Sequence, residues 1–188
     1  MKKFELTSEF VTFLGKTLFR IKALVSFGDV AEGELGGFIE RENNLDQSGD
    51  AWVSDDAKVF GNAKVCGNAW VSGDAKVFGN AKVCGNAWVF GDAKVFGNAK
   101  VFGNAWVSGD ARVQNCRDYS ATSCFGSENR TTTFFRTKDG GISVRCGCFY
   151  GTLREFREKV KERHGDSRLA KEYLMLADLM EFRLSKDE

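Results

Sequence analysis

The sequence predicts a mainly β chain, a parallel β-helix of about 3.7 regular coils carrying a C-terminal α+β module. Two nested periodicities and one abrupt change of composition predict it. From Gly49 to Gln114 the chain reads as eleven successive hexads: Gly, then Asn or Asp, Ala, an outward Lys, Trp or Arg, Val, and Phe, Ser or Cys, with Asp55 once in the Gly place. Trp52, Trp70, Trp88 and Trp106 recur at intervals of 18 residues inside that run, and so do Asp56, Asp74, Asp92 and Asp110. After Gln114 both periods stop.

The hexad dictates its own geometry. Ala and Val lie two residues apart, so on a short strand they point to the same side while the residue between them points away. Ala51 and Val53, and each later pair up to Ala111 and Val113, therefore fill a narrow interior. Lys or Trp faces outward, and Gly followed by Asn or Asp makes the corner, because these residues tolerate positive φ. An 18-residue period means that three hexads close one triangular coil, with a separate column on each face. At ~4.8 Å per coil the prism stands roughly 18 Å tall.

Residues 1–48 depart from the hexad. Thr17 to Leu24 alternates like a strand. Ile39 and Leu45 are six apart but Leu45 and Val53 are eight apart, so a two-residue slip precedes the regular coils. An irregular first coil or cap is expected there, since the open end of a solenoid presents unpaired backbone groups. Residues 115–188 read as a hairpin and two helices. Thr131–Thr137 and Ile142–Tyr150 flank Asp139-Gly140, and Asp-Gly between apolar runs signals a hairpin. Thr152 and Glu155 have capping-box spacing and start a helix running to about His164. Gly165 ends it, and Asp166 or Ser167 caps a second helix to about Leu184. That helix is too apolar for a lone surface helix, so it is expected to pack on the hairpin and on either the prism or another subunit.

The hexads resemble the hexapeptide-repeat left-handed β-helix superfamily, and the left hand is what that resemblance implies. The stretch Gly28–Glu40 with its LGGFIE, and the strings FFRTKDG and CGCFYGTL, resemble phage and prophage hexapeptide-repeat proteins that carry such a C-terminal module. The resemblance implies a phage-encoded accessory protein with no assigned catalytic residues. A counter-defence inhibitor that binds or sequesters a host protein or signalling nucleotide is one role it suggests.

Composition narrows the partners. With 27 Lys+Arg against 26 Asp+Glu, the chain lacks the broad field that non-specific nucleic-acid or membrane-surface binding needs. Neither partner is expected. Mean hydropathy is -0.30, and no apolar run is long enough to span a bilayer. Lys2 and Lys3 are followed by no apolar stretch of secretory type, so a cytoplasmic location is expected, in the host cell if the protein is viral. The six cysteines are then expected to be reduced. Cys66 and Cys84 sit one coil apart with parallel side chains, which reads as a poor disulfide geometry. Cys116, Cys124, Cys146 and Cys148 are either ordinary buried thiols or a zinc set, although C-x7-C and C-x-C are not the common knuckle spacings. Cys146 and Cys148 read as sharing one strand face. No cofactor is expected.

Chemistry is sparse. Many superfamily members are acyltransferases with a His projecting from a coil, and others hold zinc by three His. Here the only His is His164, outside the hexads. The chain is therefore expected not to be an enzyme; it reads as a binding or scaffold protein. An acyltransferase-like enzyme using His164 or an Asp, and a virion or assembly component, are the alternatives. His164 at a helix end reads as a C-terminal cap. Each Trp buries up to about 150–250 Å², so even half-covered the Trp column leaves roughly 300–500 Å² of apolar surface for something to cover. Trp52, Trp70, Trp88 and Trp106, with Tyr173, Leu176 and Met180 of the last helix, form the expected partner or oligomer interface. A homo-oligomer, dimer or trimer, follows. Arg136 and Arg145 near Phe135 and Tyr150 are the small-ligand candidate, because Arg with aromatics holds a phosphate and stacks a base.

Overall fold

The computed structural model describes residues 2–185. Two long strands, β1 (Phe4–Phe13) and β2 (Lys16–Ala23), form an antiparallel hairpin, and β3 (Leu35–Ile39) joins β2 antiparallel. Eleven two-residue rungs follow, from β4 (Trp52–Val53) to β14 (Arg112–Val113). They stack as three parallel sheets, one per face, each pairing a residue with the one 18 positions on: Trp52 with Trp70, Lys58 with Lys76, Lys64 with Lys82. This is the parallel β-solenoid that the double period predicts, about four coils high. Every hexad Ala and Val from Ala51 to Val113 is fully buried, so the interior is a stack of methyl and isopropyl groups with no polar side chain in it.

The slip before the regular coils has a clear structural counterpart. Ile39 pairs with Val59 and Leu45 with Val65, intervals of 20 where the later rungs keep 18. The first part-coil is thus built on a longer loop, and the β1–β2 hairpin extends one face into a seven-stranded sheet. The glycine pair in LGGFI makes room for the first regular coil: a Cβ on Gly36 would stand 2.6 Å from the Trp52 ring. β1 is a strand that the sequence pattern does not single out, because its pairing shifts register between Leu6 and Phe10.

The far end is closed by a four-stranded antiparallel sheet, β15 (Tyr119–Phe125), β16 (Arg130–Arg136), β17 (Ile142–Cys146) and β18 (Phe149–Thr152). Phe135 and Tyr119 on one face join the prism core. Phe134 and Val144 on the other pack against α1 (Leu153–His164) and α2 (Arg168–Leu184). The β16–β17 hairpin, the Thr152–Glu155 capping box, the Gly165 stop and the Ser167 cap all stand where the sequence places them. The run 142–150 is not one strand. It folds back at Gly147-Cys148, with Gly147 at φ +58, the conformation a two-residue hairpin turn asks of glycine. Cys146 and Cys148 therefore do not share a strand face; Cys148 sits in the turn. No helix among the described residues is long and apolar enough to cross a membrane.

Candidate ligand cleft

The Trp column does not present four equivalent rings. Trp52 is fully buried under the N-terminal cap, with Phe27 edge-on at 5.4 Å. Trp70 is half-buried and donates its Nε1 proton to Ser54 Oγ at 3.0 Å. Trp106, at the other end, stacks on Trp88 with centroids 5.3 Å apart and meets Phe90 edge-on at 6.5 Å. The chain's own ends thus cover both ends of the column. Trp88 is the ring left open, 42% exposed.

A cleft of about 800 Å³ opens beside it, between the Trp face and the C-terminal sheet. Trp88 and Trp106 form its apolar wall; Asn86 and Asn104 line the prism corner, and Arg130, Thr131 and Arg145 come from the sheet. β17 sets the Arg145 guanidinium over Trp106 at 5.5 Å, over Phe90 at 5.4 Å and near the Tyr150 ring at 6.0 Å. Its Nε is buried and lacks a hydrogen-bond partner. Burial, with Asp110 adding to it, raises the Tyr150 hydroxyl above the ordinary tyrosine pKa, so this phenol stays neutral.

The corner asparagines form ladders. Asp50 N–H donates to Asn68 Oδ1 at 3.3 Å, Asn68 Nδ2 donates to Asn86 Oδ1, and Asn86 Nδ2 donates to Asn104 Oδ1, both at 3.1 Å. All these amides point one way. The run ends with the Nδ2 of Asn104, a donor with no partner among the described residues, at the rim of the cleft. A second ladder, Asn62 to Asn80 to Asn98, climbs another edge.

The expected small-ligand set splits. Arg145 and Tyr150 stay neighbours, but only Arg145 lines the cleft, and Tyr150 lies behind it facing Asp110 and Ser143. Phe135 is fully buried in the prism core, and Arg136 lies 3.6 Å from Asp118 and donates to the Ser185 carbonyl. Neighbours on one strand point to opposite faces, which is why the pair divides. Tyr173, Leu176 and Met180 are buried inside the C-terminal module; the exposed apolar side of α2 is Met175, Leu179 and Phe182 instead. Helical spacing identified an apolar helix but not which of its two apolar stripes meets the sheet. His164 stacks on Tyr173 at 5.6 Å in the last turn of α1.

The cysteines also fall differently. Cys66 and Cys84 are joined as a disulfide with Cα atoms 4.7 Å apart. Neighbouring coils are one strand spacing apart, inside the range a disulfide spans, so parallel side chains need only turn toward each other. Cys116, Cys124, Cys146 and Cys148 are free thiols. They do not gather into a metal-binding group among the described residues; Cys146 instead accepts from Thr132 Oγ1 at 3.2 Å. On the opposite face, Lys58 and Lys76 donate to the carbonyls of Asp56 and Asp74 rather than to the Asp column's carboxylates. The uncompensated Lys64, Lys82 and Lys100 remain exposed. Asparagine ladders and the capping role of the terminal sheet are what the residue pattern left unread, although the 18-residue recurrence of Asn was the available signal for the first. No family sequence model matches the chain, and no curated protein matches it.

Proposed function

We propose that the chain is a non-enzymatic binding protein whose recognition site is the cleft between the Trp face and the C-terminal sheet, and that its ligand is a planar small molecule. The carrying observation is Trp88. Trp52 is fully buried and Trp70 and Trp106 are partly covered by the chain itself, while Trp88 stays 42% exposed on the wall of a cleft of small-molecule size. The resemblance to phage proteins supplies a setting in which such a protein sequesters a host signalling molecule. Native mass spectrometry on protein purified from its expressing cells, repeated after denaturation, tests the reading. A bound mass that is lost on denaturation and absent from Trp88→Ala supports it; a bare chain in both cases opposes it.

A second surface supports self-association. Leu179 is 56% exposed and Phe182 84% exposed on the outer side of α2, beside Met175, and none of the three lines the cleft. A homo-oligomer through this face predicts that Leu179→Glu with Phe182→Glu yields a monomer by light scattering while leaving cleft binding intact. A wild-type chain that is already monomeric rules it out.

A further inference from the structure

Resting on the reading of this cleft as a ligand site, we infer that it takes an anionic ring compound of the nucleoside phosphate class, with the ring against Trp88 and the phosphate between Arg145, Arg130 and Asn104. Charge carries the step from "planar" to "anionic". The lining holds two guanidinium groups and not one carboxylate. Among the described residues Arg145 has no ion-pair partner, and its Nε is buried without an acceptor. Arg130 is 60% exposed and only within 3.9 Å of Glu128, a pair that solvent screens to little effect. The unpaired lysines of the prism, Lys64, Lys82 and Lys100, are exposed to solvent, whereas other half-buried arginines are paired, Arg157 with Asp178 and Glu181 and Arg20 with Glu9. An arginine left without a counter-ion inside an aromatic box lacks what its fork of donors is shaped for, an oxyanion.

Asn104 adds a third donor by an independent route. Because Asp50 N–H fixes the first amide, the ladder is polarised along its length, and each bond strengthens the next. The free Nδ2 at its end points positive hydrogen at the same rim. The indole wall recognises the ring by its π face whichever base it is, while the donor triad requires the phosphate. A neutral nucleoside satisfies only the first, and inorganic phosphate only the second.

Isothermal titration calorimetry with AMP, GMP, CMP and UMP, their nucleosides, and inorganic phosphate separates these parts. The expected result is binding of at least one mononucleotide, roughly tenfold or more tighter than its nucleoside and weakened by salt. Arg145→Gln and Arg130→Gln should each lower that affinity without changing nucleoside binding. Arg130, being exposed, also serves as the variant that leaves folding untouched. Equal binding of nucleotide and nucleoside overturns the anionic assignment and leaves the cleft reading standing. Phosphate binding as tightly as any nucleotide, unaffected by Trp88→Ala, overturns the ring. No heat with any probe, while native mass spectrometry still finds a Trp88-dependent ligand, overturns the nucleotide class alone; no heat and no bound mass removes the cleft reading itself.

Discussion

The Tyr119 hydroxyl donates to the Lys100 carbonyl at 2.8 Å and accepts the Phe102 N–H at 3.4 Å. Lys100 belongs to the last rung of the three-stranded face, which has no further coil to pair with. One buried side chain from the C-terminal sheet thus satisfies two backbone groups that would otherwise end a parallel sheet in mid-air. Burial raises the Tyr119 pKa above the ordinary tyrosine value, keeping the donor protonated through the physiological range.

Tyr119→Phe keeps the ring and removes the hydroxyl, leaving both groups unsatisfied where the sheet ends. A loss of about 1–3 kcal/mol is expected, read as a lower urea midpoint with an unchanged slope. A variant as stable as the parent would mean that water replaces the hydroxyl.

The corner glycines make a differential prediction. Gly79 has φ +71, and a Cβ there would lie 3.0 Å from Gly97 N in the next coil; Gly103 has nearly the same φ, +68, with nothing near. Gly103→Ala should lose only the conformational penalty, about 1 kcal/mol, while Gly79→Ala should lose that and the clash. Thermal melts of the two variants should differ by several degrees, with Gly79→Ala the lower.

Much of this was legible because the repeat is regular. Ala and Val at a two-residue interval fix the interior, and the 18-residue recurrence fixes three faces, before any energetics are needed. The capping box at Thr152 and the stop at Gly165 were readable because each depends on residues within one turn. Contacts between distant segments were not legible in the same way. Nothing local in Phe27 says that it covers Trp52, and nothing in Arg145 says that it lies on Trp106. The split of Arg136 from Arg145 turned on the register of a correctly placed hairpin, Thr133 opposite Arg145 and Arg136 opposite Ile142, and the Cys66–Cys84 bond turned on side-chain rotamers within a correctly placed pair of coils.

That disulfide predicts a thiol count. Alkylation of the folded, unreduced protein after denaturation should label four cysteines, and six after reduction. A bond closing an 18-residue interval contributes about 3 kcal/mol through the unfolded chain, so reductant should lower the unfolding midpoint of the parent but not of the Cys66→Ser, Cys84→Ser double variant. Six labels without reductant would show the pair to be open.

Lys3 gives the clearest pH dependence. Its Nζ is buried at the N-terminal end of the prism, donating to the carbonyls of Ala51 at 2.8 Å and Gly49 at 3.2 Å, with the Phe27 ring 4.8 Å away. Burial lowers its pKa from the ordinary 10.5 to about 8, against the opposing pull of Asp46 and Asp50. Between those two values the unfolded chain holds a proton that the folded chain has released. Stability from this group therefore rises with pH across that window; below about 8 both states are charged and the burial penalty is present in full. Lys3→Met removes the titration but leaves other groups alone, so the stability difference between parent and variant isolates it. From pH 8 to pH 10 that difference should move in the parent's favour by about 1–2 kcal/mol, read from paired urea titrations. A difference that stays flat would place the Lys3 ammonium in water rather than over the first coil.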